Sequence, residues 1–457
     1  MNRCIKRVAA VIPVTVILVV LMAGITRARA RGFKPSRFET KNEITVLVLE
    51  QPSLPIVAVE VLVRAGAIHD PTEKAGLANM TGLLLEEGTK KRSAVEISEA
   101  IDLIGADLRI QPSKDYTTLE MRLLKEDIET GLDLLSDLLI NPAFDKQEME
   151  RIRQKIRGNI LSQKDNPRAI ARIAFQALVY GNHPYRHPTI GLEASVSKIT
   201  QGDLVDFHKH YYRPNNTIVA IVGDITESEA KTLMETHFGG WDRGPIPAFN
   251  FGPPIPLPRI EKKHIDKDLS QSTIILGHLG LDRSNPDYYA VQVMNYILGG
   301  GGFSSRMMGD IRDNKGLVYS IYSHFTANRH PGAFSVSLQT KNSSAEEAIA
   351  AVLREMNKMR DAGVSEEELS EAKSYLTGSF PLRIDTTRKA ASLLATLEFY
   401  TLGLDYVETY RSQIDRVVRE DILRVAINYL HPERYALVVV GKPDGFKVDS
   451  VEDAAVE

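Results

Sequence analysis

At 457 residues the chain is longer than one hydrophobic core usually supports, so at least two structural units are expected. Its 43% hydrophobic and 25% charged content is that of an ordinary globular protein, and a formal charge of −3 with no basic stripe interleaved with aromatics argues against a nucleic-acid partner. A single cysteine, Cys4, excludes a disulfide framework.

At the N-terminus Arg3, Lys6 and Arg7 precede the uncharged apolar run 8–25, and Ala28-Arg29-Ala30 follows with small residues in an A-x-A arrangement. This reads as an export signal. As a helix the 18-residue run would span about 27 Å, close to a bilayer core, so cleavage after Ala30 and retention as a membrane anchor both stand. Loss of residues 1–30 would remove five basic residues and take the formal charge from −3 to −8. It would also remove Cys4, leaving no thiol for catalysis. The expected location is outside the cytoplasm, either periplasmic or anchored and facing the periplasm or exterior.

Further along, residues 44–49, 57–63, 117–123 and 272–277 show the β-branched alternation of strands. Capping boxes at Ser93/Glu96, Ser344/Glu347 and Ser365/Glu368 announce helices, which stop at Asn141-Pro142 and Gly363. Asp203, Tyr211, Pro214 and Gly223 recur as Asp421, Tyr429, Pro432 and Gly441, each displaced by 218 positions, and 144–158 pairs with 364–378 at a displacement of 220. Agreement of pattern, order and offset marks two copies of one unit. The boundaries expected are 38–243 and 259–445 for the two repeats, an extended Pro-rich linker at 244–258, and an acidic tail at 446–457. Short separations between successive strands favour antiparallel pairing. The fold class is therefore α+β, two homologous repeats, each an antiparallel sheet covered by helices on one face.

Three stretches carry chemistry. Asn79-Met80-Thr81-Gly82-Leu83 follows the strand-like run 56–65 and Gly66-Ala-Ile-His-Asp-Pro71, and precedes Glu86-Glu-Gly-Thr-Lys90. In the second half stand Leu298-Gly-Gly-Gly-Gly-Phe-Ser-Ser-Arg306 and Asp310-Ile-Arg-Asp-Asn-Lys-Gly-Leu-Val-Tyr-Ser320. Over about residues 38–445 the chain resembles the pitrilysin/insulinase family of inverzincin metallopeptidases, whose short members include the mitochondrial processing peptidase.

The resemblance implies a helix carrying His-x-x-Glu-His, where residues at i and i+4 grip one Zn²⁺ and the Glu polarises its water. Here Asn79, Gly82 and Leu83 fill those slots. Glycine and leucine have no donor atom, and an amide is a poor substitute for imidazole. No metal is expected in this chain. Glu148 and Glu150 lie near the family's third ligand, and spacing does not choose between them. His183 and His187 fall in a Pro-broken loop, while His208 and His210 point to different sides of a helix and are expected at the surface.

Arg312 and Tyr319 match the family's substrate-binding pair, which implies that they contact the substrate backbone. The tyrosine hydroxyl would support the oxyanion at a zinc site carried by another half or subunit. From the residues alone, Gly316 would turn a helix end into a strand and bring both side chains to one edge. The alternative is a surface ion pair for Arg312 and a core position for Tyr319. Gly299, Gly300, Gly301 and Gly302 read as a mobile loop near that surface, serving backbone approach to an extended peptide or merely a tight turn.

These features together point to a non-catalytic, substrate-binding subunit of a heterodimeric zinc endopeptidase acting on unfolded peptides. The chain would be a half-clam with no cofactor of its own, and a homologous partner with an intact motif would carry the zinc. The alternatives are an inactive scaffold or assembly subunit, as in the respiratory cytochrome bc1 complex, and a self-sufficient metalloendopeptidase.

Overall fold

The computed structural model describes residues 33–249 and 251–443, so the expected export signal at 1–30 and acidic tail at 446–457 lie outside the described residues. The first sheet is built from β1 (Ser36–Glu39), β2 (Thr45–Glu50), β3 (Ile56–Val63), β4 (Asp107–Pro112), β5 (Thr117–Leu124) and β6 (Thr217–Gly223), in the order β1-β2-β6-β3-β5-β4. The second comprises β7 (Glu261–Ile265), β8 (Gln271–Leu279), β9 (Val318–Phe325), β10 (Ala333–Lys341) and β11 (Ala436–Val440), in the order β7-β11-β8-β10-β9. Without β1 the two orders are the same. The internal repeat is thus a repeat of topology.

In the first half the main helices are α1 (Leu77–Leu84), α2 (Ala94–Leu103), α3 (Ile128–Ile140), α4 (Lys146–Lys164), α5 (Pro167–Tyr180), α6 (Gln201–Tyr211) and α7 (Glu227–Phe238). In the second they are α8 (Tyr288–Asn295), α9 (Ala345–Ala362), α10 (Glu366–Ser379), α11 (Thr387–Phe399), α12 (Tyr406–Arg416) and α13 (Arg419–Tyr429). Among the described residues no helix is long and apolar enough to cross a membrane. The displacement of 218 superposes α6 on α13 and β6 on β11, and both strands end in a glycine of nearly the same backbone angle, Gly223 at φ 144° and Gly441 at φ 142°. A Cβ on Gly223 would stand 2.1 Å from the Ile56 carbonyl oxygen, so the strand can end there only with glycine.

The α+β reading holds, with three differences. Neither sheet is wholly antiparallel: β2 and β6 run parallel, as do β7 and β11. Each pair is joined by a connection long enough to return the chain in the same direction. Second, the central strands of each sheet are covered on both faces, because the halves exchange helices. α5 of the first half packs on β8 and β11, and α11 of the second packs on β3 and β6. This accounts for β6 being buried at every position, where one-sided cover would leave alternate residues wet. The halves do not separate into independent bodies. Third, the capping boxes at Ser93 and Ser365 form, but the one at Ser344 does not. A 3₁₀ turn at Asn342–Ser344 leads directly into α9 and holds Ser344 at ψ 3°, away from the extended conformation a capping side chain needs.

The exchanged helix α11 meets the first sheet over charged residues. Glu60 on β3 stands opposite Glu120 on β5. Arg388 of α11 pairs with Glu120 and lies 3.5 Å from Asp107. Glu60 is 3% exposed and its Oε2 has no hydrogen-bond partner. Burial, reinforced by Glu120 and opposed by Arg388, pushes its carboxyl up to about 8. A carboxyl whose folded pKa lies above its unfolded value stabilises at low pH and loses that contribution as pH rises, here between about 4.5 and 8. Glu60→Gln is therefore expected to match wild type in denaturant at pH 5 and to exceed it at pH 9, by a margin on the order of 3 kcal/mol. An equal offset at both pH values would show that Glu60 does not titrate in this window.

Candidate functional site

The short helix α1 occupies the expected zinc position. Asp70 sets its start by accepting hydrogen bonds from the backbone N–H groups of Gly76 (2.7 Å) and Ala78 (2.8 Å). Met80, Thr81 and Gly82 are buried, with Asn79 and Leu83 half-buried. A Cβ on Gly82 would lie 2.6 Å from Pro112 Cγ of β4 and 3.3 Å from Thr117 Cγ2 of β5. Pro112 and Thr117 therefore crowd the space that a side chain at position 82 would enter. Asn79 Nδ2 is buried without a hydrogen-bond partner.

Glu148 is bound to Arg151 at 2.6 Å, and Glu150 to Arg153 at 2.9 Å. Both carboxylates are thus held by arginines of their own helix, and no group of three or more His, Cys, Asp or Glu suited to a metal occurs among the described residues. His183 and His187 flank a 3₁₀ turn, and burial lowers both to about 4. The surface expectation for His208 fails: its ring stacks on Tyr212 at 4.9 Å, its Nε2 lies 2.8 Å from the Leu139 carbonyl, and burial lowers it to about 4. His210 is exposed as expected.

Arg312 and Tyr319 do come together. Gly316, at φ 63°, closes the helical turn Met308–Asn314 by donating to the Arg312 carbonyl at 2.9 Å, and the chain enters β9. There the ladder slips: Leu338 faces Ile321 and Thr340 faces Val318, so Tyr319 and Ser320 stand opposite the single residue Gln339. Such a bulge re-aims a side chain. Tyr319 is 85% exposed, which removes the sheet-core alternative. The Arg312 guanidinium sits 5.9 Å from its ring centroid and 5.0 Å from that of Phe303, and binds Asp313 at 3.0 Å. Among the described residues β9 is the outer strand of its sheet, bonded on one side only.

The glycines depart from expectation. Gly299 and Gly300 end the helical turn Tyr296–Gly300, and Gly302 opens another at Gly302–Ser304, so the segment is packed helical turn and not open loop. A Cβ on Gly299 would meet Ser323 Oγ of β9 at 2.6 Å, and those on Gly300 and Gly301 would meet Asn295 and Tyr296. The glycines let this segment lie against β9 and carry Phe303 to Arg312. Along the same strand runs a groove of about 690 Å³, lined among others by Lys114, Arg168 and Arg172. Sequence reading singled out none of these three, because the groove forms only where Lys114 and α5 of the first half meet strands of the second.

A two-fold repeated α+β fold, a short buried helix without ligand side chains and an Arg/Tyr pair on a free strand edge define a peptidase-like protein. The chain belongs to the insulinase family, peptidase family M16: the insulinase model matches residues 45–192 and the peptidase M16 inactive-domain model residues 198–376, together more than two thirds of the chain. Similar proteins include an uncharacterized zinc protease of Mycobacterium leprae, 28% identical over 421 residues, 90% of this chain and 93% of the relative. Another is a non-peptidase homolog of Helicobacter pylori, 24% identical over 411 residues, 89% of this chain and 93% of that one. Among solved structures, a peptidase M16 inactive domain from Pseudomonas fluorescens is 29% identical with a TM-score of 0.86, covering 91% of this chain and 99% of its own.

Proposed function

We propose that this chain is the non-catalytic, substrate-binding subunit of a heterodimeric zinc endopeptidase that acts on unfolded peptides. The observation that carries the reading is the contrast between its two candidate sites. On α1 the two expected ligand positions offer an amide and a hydrocarbon, the general-base position offers only a hydrogen atom, and Pro112 fills the space beside Gly82. These residues do not fit a zinc ion. On β9, by contrast, Arg312 and Tyr319 stand together beside an unpaired strand edge, to which an extended peptide can add as a further strand. A homologous partner with intact ligands would bring zinc and general base to that edge. The relatives, a zinc protease in one case and a non-peptidase homolog in another, accord with a family holding both kinds of chain. The apolar run 8–25 supports placing the subunit outside the cytoplasm, in the periplasm or anchored to the membrane.

The purified chain is expected to hold no stoichiometric zinc and to cleave no peptide by itself. Metal analysis and a peptide-cleavage assay check this. One tightly held zinc per chain, or chelator-sensitive cleavage in a partner-free preparation, would overturn it.

A further inference from the structure

The exchanged helices make the two halves comparable residue by residue. Arg168, near the start of α5, and Arg388, near the start of α11, are displaced by 220 positions and each reaches across onto the other half's sheet. In the first half Arg388 meets carboxylates: Glu120 and Asp107, with Glu60 close by.

Strand registers locate the equivalents in the second half. Glu60 stands opposite Ala220 and Glu120, while Ile275 stands opposite Val438 and Ser337. Since Ala220 and Val438 are related by the 218 displacement, Ile275 takes the place of Glu60 and Ser337 that of Glu120. Asp107 faces Arg122, two residues beyond Glu120; the residue two beyond Ser337 is Gln339, which faces the bulge of Tyr319 and Ser320. All three carboxylates are thus replaced by uncharged groups, and Ile275, Ser337 and Ser320 all line the groove.

The cations, however, remain and increase. Among the described residues the Arg168 side chain binds only the neutral Gln339 side chain, at 2.7 Å. Arg172, one turn further along α5, makes no hydrogen bond or ion pair among the described residues. Lys114 also lines the groove, its amine tied to the carbonyls of Tyr185 (2.7 Å) and His187. No carboxylate lines the groove; the nearby Asp115 is buried and engaged by the Tyr185 hydroxyl.

We propose that this groove binds a carboxylate of an extended peptide lying along β9, so that the ligand supplies to Arg168 and Arg172 what Glu120 and Asp107 supply to Arg388. Guanidinium groups suit this because their paired N–H donors match a carboxylate's two oxygens. The carboxylate is an acidic side chain or the peptide's free C-terminus. That the ligand is a peptide rests on the substrate-binding reading above.

The experiment measures binding of fluorescent ten-residue peptides to the purified full chain by anisotropy, without a partner. One peptide carries acidic side chains and an amidated C-terminus, a second is neutral with a free C-terminus, and a third is neutral and amidated. At least one of the first two is expected to bind tenfold or more tightly than the third. Arg168→Gln combined with Arg172→Gln should remove that preference, and since both residues are exposed the variant should unfold in denaturant as wild type does. Which of the first two binds identifies the source of the carboxylate. Equal binding of all three peptides, or a preference that survives in the double variant, would overturn carboxylate recognition and leave the substrate-binding reading standing. Binding of none would overturn both.

Discussion

Replacing Tyr319 by phenylalanine is expected to lower peptide turnover by the complex about 10²-fold, the scale of losing one oxyanion donor. The structure makes this a clean substitution. Tyr319 is 85% exposed on the bulge of an edge strand, so loss of its hydroxyl leaves no buried group without a partner. Arg312→Ala should instead act mainly on KM, if the guanidinium holds substrate backbone equally in ground and transition states. It also removes a cation–π neighbour from Tyr319, so a smaller fall in kcat is expected with it. Both variants should assemble as wild type, checked by gel filtration and circular dichroism. Unchanged kinetics for Tyr319→Phe in an intact complex would favour the scaffold reading, because the exposed pair would then be idle.

The second large effect is expected from Gly82→Glu. A side chain there must displace the Pro112 ring, which a Cβ alone would approach to 2.6 Å. Overpacking of this kind costs about 1–3 kcal/mol, and the carboxylate adds the cost of burying a charge with no partner. Destabilisation by more than about 3 kcal/mol is expected in urea unfolding. The same obstacle defeats restoration of the whole motif: Asn79→His with Gly82→Glu and Leu83→His should yield a poorly folded chain without tight zinc. Glu148 or Glu150 would also have to leave its arginine partner to serve as a third ligand. A stably folded triple variant holding one zinc per chain would show that Pro112 and Thr117 leave room for the motif.

The strands 57–63 and 117–123 were legible because period-two alternation follows from local geometry. The repeat was legible because one fold drawn twice imposes the same breaks, such as the strand-ending Gly223 and Gly441, at a constant offset. That Gly82 and Leu83 carry no donor atom is read from the sequence directly. Lost to sequence reading were features that depend on a second segment far along the chain. The parallel pairs are set by where a strand returns, and Tyr319's exposure by a mismatch with β10. His208 lies on a helix whose cover comes from Phe144 and the Leu139 carbonyl. Arg168 and Arg388 stand at the repeat offset, but their partners are visible only once the helices are seen to cross.

The central claim, that this chain contributes substrate binding to chemistry performed by another, is tested most directly by reconstitution. Peptide cleavage is measured for a homologous chain with intact His-x-x-Glu-His, alone and with increasing amounts of this one. The expected result is little cleavage by either chain alone, and chelator-sensitive cleavage that saturates at one copy of each. Full activity of the zinc-bearing chain without this one, unaltered on mixing, would contradict the account.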